Sequence, residues 1–224
     1  MTAFPDGPVP GASRCYEVTH RTRYRYSDVV TSSYGRGFLT PRDSARQRCL
    51  FHELVIEPEA ADSSTSRDAY GNLSSFFHVI ERHRSLTITS RSVVEVDPPP
   101  PDLYQGPSAR APWEIARPVG TEGALATEFT LDLQPPEITD ELRAYAAPSF
   151  LPERPLIEVL HDLTSRIYSD FTYRSGSTTV STKVGEVLEA REGVCQDFAR
   201  LAIACLRANG LAASYVSGYL ATDP

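Results

Sequence analysis

Four consecutive prolines, Pro98 to Pro101, split this chain into halves that obey different hydrophobic periods. Such a run has no N–H donors for a ladder and favours a stiff extended segment, so no sheet or helix crosses it. Before it the period is two. From Tyr16 to Tyr26 the even positions are Tyr16, Val18, His20, Thr22, Tyr24 and Tyr26, and the odd ones are Glu17, Thr19, Arg21, Arg23 and Arg25. That alternation is the mark of a half-buried strand. Leu50, His52, Leu54 and Ile56 repeat it, as do Leu86, Ile88, Val94 and Val96. Tyr70-Gly71-Asn72 is a turn signal consistent with a hairpin. Residues 1–97 therefore read as an all-β domain, an antiparallel β-sandwich or a strongly curved sheet.

Residues 98–135 read as a Pro-rich linker that wraps over the surface, with Trp113 as an anchor. From 136 to 224 the period becomes helical. Glu137 to Ala147 is a short helix candidate, and Leu156, Val159, Leu160, Leu163 and Ile167 form an amphipathic stripe. A polar loop, Arg174 to Ser181, leads to a helix from about Lys183 to Arg191 with Thr182 as its N-cap. A further helix starts near Cys195, buries Phe198, Leu201, Ala202 and Cys205, and stops at Asn209-Gly210. Ala213 to Leu220 reads as a strand. The fold class is α+β, a β-sandwich followed by a mostly helical domain.

Charge and composition narrow the partners. Residues 1–97 hold 12 arginines and 12 acids, whereas residues 98–224 hold 10 basic and 17 acidic side chains. An acidic second half argues against nucleic acid or an anionic membrane. The longest apolar run, Leu201 to Leu206, is far short of a membrane span. Met1 to Arg14 has neither a basic start nor an apolar stretch, so the expected compartment is the cytoplasm. Lys183 is the single lysine against 21 arginines, a bias of genome composition rather than a binding code. The four cysteines (Cys15, Cys49, Cys195 and Cys205) show no C-x-x-C or metal spacing and read as reduced thiols.

One of those thiols stands apart. Cys195 follows a glycine and opens an apolar helix in Gly193-Val194-Cys195-Gln196-Asp197-Phe198-Ala199-Arg200. The first turn of a helix presents unpaired N–H groups and the positive end of the dipole, which favour a thiolate and can donate to an oxyanion. Gln196 is a further oxyanion donor candidate. Asp197 caps first-turn N–H groups, although its charge opposes ionisation of Cys195. Cys205, in mid-helix among Ala and Leu, belongs to the core. Only 29 residues follow Cys195 and none is histidine. All five histidines (His20, His52, His78, His83 and His161) precede it; His161 is a surface residue beside Asp162, and His78 and His83 are strand residues rather than a metal pair.

The segment from Gly193 to Ala199, followed by Leu206-Arg207, Gly210-Leu211 and Tyr215-Val216-Ser217-Gly218-Tyr219-Leu220, resembles the transglutaminase-like superfamily. Tyr16 to Tyr26, Leu39-Thr40-Pro41-Arg42 and Asp68-x-Tyr70-Gly71-Asn72 resemble its bacterial N-terminal domain. The resemblance covers nearly the whole chain. It implies a papain-like core and a Cys-His-Asp triad that transfers acyl groups through a thioester, with Cys195 as nucleophile and Ser217-Gly218-Tyr219 in the cleft wall. In the family the histidine and aspartate lie beyond the Tyr-Val-Ser-Gly-Tyr-Leu segment. The expectation is therefore an N-terminal fragment of a thiol enzyme, inactive alone, in which Asp223 is not the triad acid. No cofactor or calcium site is expected. The partners expected are a protein or peptide substrate and a protein bound by the β domain, with self-association through a truncated edge also open. The alternative function is a non-catalytic protein-binding module on a degenerate scaffold.

Overall fold

The alternating half of the sequence pairs as antiparallel strands. The computed structural model describes residues 12–100, 104–120, 123–132 and 136–221, so Pro101, Asp102 and Asp223 lie outside the described residues. The chain divides into two units, residues 1–100 and 101–224. The first unit contains β1 (Arg14–Val30), β2 (Ser33–Gly37), β3 (Gln47–Glu57), β4 (Asp62–Arg67), β5 (Leu73–Val79) and β6 (His83–Val96). They form two three-stranded sheets, ordered β1-β6-β3 and β2-β5-β4.

Register puts the apolar set on one face. Thr22 sits opposite Ile88, and Ile88 opposite Ile56, so even positions of all three strands share the inner surface of the first sheet. Leu86 of this sheet meets Phe77 and Val79 of the other, with Tyr26, Ile56 and Ile88 packed around them. Leu50 leaves the pattern. The β3–β6 register shifts between Cys49 and Phe51, and this irregularity leaves Leu50 56% exposed. The β4–β5 hairpin turns through Gly71 (φ +84°), a left-handed conformation. Asp68 Oδ1 accepts the N–H groups of Tyr70 and Asn72, and its Oδ2 accepts the Asn72 amide. Led by the Asn72 amide, these donors hold the Asp68 carboxyl below the ordinary aspartate range.

The second unit opens with short helical turns: α1 (Pro107–Arg110), a 3₁₀ turn at Trp113–Ala116, α2 (Ala124–Thr127) and a 3₁₀ turn at Glu128–Thr130. Trp113 does anchor this stretch: it is buried, its indole N–H donates to the Leu151 carbonyl, and Arg117 stacks on its ring. Then come α3 (Asp140–Ala146), α4 (Leu156–Asp170), β7 (Thr172–Tyr173), α5 (Val184–Ala190), β8 (Glu192–Gly193) and α6 (Cys195–Ala208). The helices enclose one core in which Leu142, Val159, Leu163, Val184, Leu201 and Cys205 are all buried.

Three local expectations shift. The α3 helix begins at Asp140 rather than Glu137, because Thr139 caps it through the Leu142 amide and Glu137 is drawn into the core. Lys183, an exposed residue, holds the N-cap position of α5 in place of Thr182, whose hydroxyl closes the preceding loop by accepting the Thr179 N–H. Residues 212–221 carry strand-like sequence but join no ladder among the described residues. The Ala213 amide donates to the Phe129 carbonyl and the Arg207 guanidinium donates to the Ala213 carbonyl. Beyond these ties Val216 and Leu220 are exposed.

The core of the first unit depends on a close approach. A Cβ on Gly35 would lie 2.0 Å from Phe77 Cζ, because the Phe77 ring covers its bare Cα. Gly35→Ala displaces one of the three buried side chains of that core. The expected loss is about 1–3 kcal/mol of stability. Urea denaturation followed by far-UV circular dichroism measures it, and an unchanged midpoint would contradict the packing.

Candidate functional site

Cys195 lies where the sequence locates it, at the first residue of the 14-residue α6, and it is exposed. The residues just before it are held by short β pairing. Thr172 and Tyr173 of β7 run parallel to Glu192 and Gly193 of β8, and Arg174 N–H donates to the Gly193 carbonyl at 2.9 Å. At the entrance to β8, Arg191 ends α5 in the left-handed region (φ 55°). Its guanidinium stacks on both Tyr145 and Phe171, and Phe171 meets Phe198 of α6 edge-on. The turn into the nucleophile segment is thus braced by aromatic packing from three helices and the loop after α4.

The Asp197 carboxylate caps the helix start. It is 2% exposed, and its Oδ2 accepts the Val194 N–H at 2.8 Å and the Thr178 hydroxyl at 2.6 Å. A Cβ at Gly193 would come within 3.0 Å of the same oxygen, so this carboxylate needs the bare Cα beside it. The Asp197 and Phe198 amides turn back onto the Val194 carbonyl. That leaves the amides of Cys195 and Gln196 as first-turn donors without an intrahelical acceptor. Two N–H groups next to an exposed sulfur can receive an oxygen that gains negative charge. The Gln196 side chain is half-buried and its carboxamide makes no hydrogen bond among the described residues.

Of the five histidines, His161 alone belongs to the unit that carries this thiol. His161 is exposed on α4, two positions from both Val159 and Leu163, which puts it on the side of that helix away from the core. There it lines a cavity of about 650 Å³ with Tyr104, Ile157, Leu160 and Thr164. The remaining four belong to the first unit. His52 bonds Ser92, His78 bonds Ser32 and His83 bonds Ser33, while His20 Nε2 meets the Thr22 hydroxyl. Cys15 and Cys49 lie on β1 and β3, and all four cysteines are free. Cys205 sits fully buried on α6, where desolvation pushes its thiol up to about 12. Ser217, Gly218 and Tyr219 fall in the segment after α6 that joins no β ladder among the described residues. No group of three His, Cys, Asp or Glu side chains converges among the described residues.

Sequence patterns did not reveal two participants. Thr178 reaches Asp197 from the loop after β7, nineteen positions away. Glu137, 6% exposed, accepts the Val184 N–H and pairs with Arg200 of α6 at 2.5 Å. Arg200 also donates to the Thr182 carbonyl, tying α6 to the start of α5. Such long-range partners leave no periodic signal; the excess of hydroxyl residues in 175–182 is the nearest clue.

Residues 16–95 match the bacterial transglutaminase-like N-terminal region, and residues 143–224 match the transglutaminase-like superfamily core. An uncharacterized protein of Mycobacterium tuberculosis H37Rv is 76% identical over 217 residues, covering 97% of this chain and 69% of that protein. An uncharacterized protein of Mycobacterium leprae is 30% identical over 209 residues, covering 91% of this chain and 70% of that protein. Among solved structures, a "putative cysteine protease" from Cytophaga hutchinsonii matches with a TM-score of 0.63 at 16% identity, over 88% of this chain and 66% of that one. The likeness establishes a shared α+β fold. No helix among the described residues is long and apolar enough to cross a membrane.

Two groups in the core beneath the site couple its stability to alkaline pH. Burial, with Asp170 nearby accepting its hydroxyl, pushes Tyr145 from 10.0 up to about 12, and burial raises Cys205 from 9.0 to about 12. Both are neutral when protonated and both are raised by folding. Their contribution is fully present below pH 9 and is lost as pH climbs to about 12. Melting temperature should hold level to pH 9 and then fall, with a shallower fall in Cys205→Ala. Thermal melts across pH 8 to 11 test this, and a flat profile contradicts it.

Proposed function

The chain belongs to the transglutaminase-like superfamily, and on that premise we propose that Cys195 is the nucleophile of a thiol acyl enzyme. The observation that carries the reading is an exposed thiol on the first residue of α6, beside two helix-start amides with no acceptor in the helix. In the proposed reaction the Cys195 thiolate adds to the carbonyl carbon of a carboxamide or peptide bond. The carbonyl oxygen takes up negative charge and is met by the Cys195 and Gln196 amides. The C–N bond then breaks, the leaving nitrogen takes a proton, and the acyl group remains as a thioester. An amine or a water molecule attacks that thioester and frees the thiol. Cross-linking, deamidation and hydrolysis share the first half of this sequence.

The reading needs a base to move the proton. It assigns that role to a histidine, oriented by an aspartate, supplied by sequence outside these 224 residues. The chain spans 69% of the length of its Mycobacterium tuberculosis relative, which supports looking there. Without the base, turnover by the 224-residue chain is expected to fall by about 10⁴-fold or more.

A version extended to the length of the relatives tests the reading on glutamine-containing peptides, with ammonia release as the signal. Release that disappears in Cys195→Ala supports an amide-directed acyl transfer. Release that persists in Cys195→Ala, or turnover from the 224-residue chain at the rate of the extended one, overturns the assignment of roles.

A further inference from the structure

The loop between β7 and α5 is tied to α6 at Thr178 and, at its far end, through the Thr182 carbonyl, which accepts from Arg200. Between its Ser177 and Thr178 and the Glu186, Val187 and Ala190 side of α5 lies a cavity of about 330 Å³. The tip of this loop is therefore incompletely packed against α5. What reaches across instead is the Thr178 hydroxyl, donating to Asp197 Oδ2 at 2.6 Å. The same oxygen accepts the Val194 N–H, and bare Gly193 closes its third side. The other charges nearby are engaged: Arg174 pairs with Glu192, Glu186 accepts the Lys183 N–H, and Arg200 pairs with Glu137. No cation is paired with Asp197 among the described residues.

We propose that Thr178 is a positioning residue for Cys195, acting through Asp197; the inference rests on the nucleophile reading above. A carboxylate with two donors on one oxygen is held in a single orientation and part of its charge is neutralised. Both effects bear on the thiol two residues away. The fixed carboxylate seats the Val194 amide, and hence the first turn that carries the sulfur. Its partly neutralised charge opposes a neighbouring thiolate less than a bare carboxylate does. Removing the Thr178 hydroxyl leaves Asp197 with the Val194 donor alone and frees the loop tip over an unfilled cavity. The lost charge-assisted hydrogen bond also lowers stability, so the setting of the sulfur is read well below the melting transition, where the chain stays folded.

Site-resolved alkylation with iodoacetamide, read by mass spectrometry on the whole 224-residue chain, tests this in three proteins. Cys195 in the native chain is expected to label far faster than buried Cys205. In Thr178→Val, which keeps the shape and removes the hydroxyl, Cys195 labelling should slow by roughly 3- to 10-fold. Thr178→Ser restores the donor and should return the rate to within about twofold of native, all three proteins being labelled well below their melting temperatures. A native rate in Thr178→Val overturns the positioning role alone. So does a slowed Thr178→Val that serine does not rescue. Cys195 labelling no faster than Cys205 in the native chain overturns the nucleophile reading itself, and the positioning role with it.

Discussion

The buried carboxylate of Asp197 is the constraint around which the second unit arranges its exposed thiol. A carboxylate that is 2% exposed must find donors, since burying it without them costs several kcal/mol. It finds them in the Val194 amide and the Thr178 hydroxyl. That single requirement explains several otherwise separate features. Gly193 leaves a bare Cα beside the oxygen, the Val194 amide turns towards it, and the loop after β7 carries Thr178 to α6. The helix supplies its own cap from inside its first turn, so no residue ahead of Cys195 needs a capping side chain. The sulfur can then stand at the exposed first position.

Behind this turn the support is apolar and aromatic. Tyr145, Phe171 and Phe198 meet edge-on in sequence, joining α3 to α6, while Arg191 and Arg166 stack on the Tyr145 ring. Arg191 adopts a backbone conformation that glycine accepts more readily, and its guanidinium contacts with two rings are what an arginine offers in exchange. The first unit is built on a thinner margin. Its innermost cluster is Phe77, Val79 and Leu86, and within the β2-β5-β4 sheet the Phe77 ring lies over the bare Gly35 opposite it.

Much of this was legible in the sequence where the pattern is local. Alternation over Tyr16 to Tyr26 and the Tyr70-Gly71-Asn72 turn located strands and hairpin, because side-chain direction in a strand follows position parity. The helix from Cys195 to Asn209-Gly210 was equally readable from its apolar spacing and its glycine stop. Readings failed where a distant partner decides. The irregularity at Cys49 and Phe51, which turns Leu50 outward, depends on the neighbouring strand. Glu137 was read as a helix residue, yet its value lies in reaching Val184 and Arg200 across the core. The strand expected from Ala213 to Leu220 has the right composition, but a strand exists only with a neighbour, and composition cannot supply one.

The arginine bias gains a chemical meaning once Lys183 is placed. Arginine side chains do not acylate under the mild conditions in which lysine amines do, because the guanidinium stays protonated. This chain therefore offers one side-chain primary amine, exposed at the N-cap of α5, at the far end of the loop that carries Thr178. Any fluorophore, surface linker or isopeptide bond formed at a lysine has a single address. It reports on the loop beside the thiol, and the β-sandwich, which holds no lysine, stays unmarked.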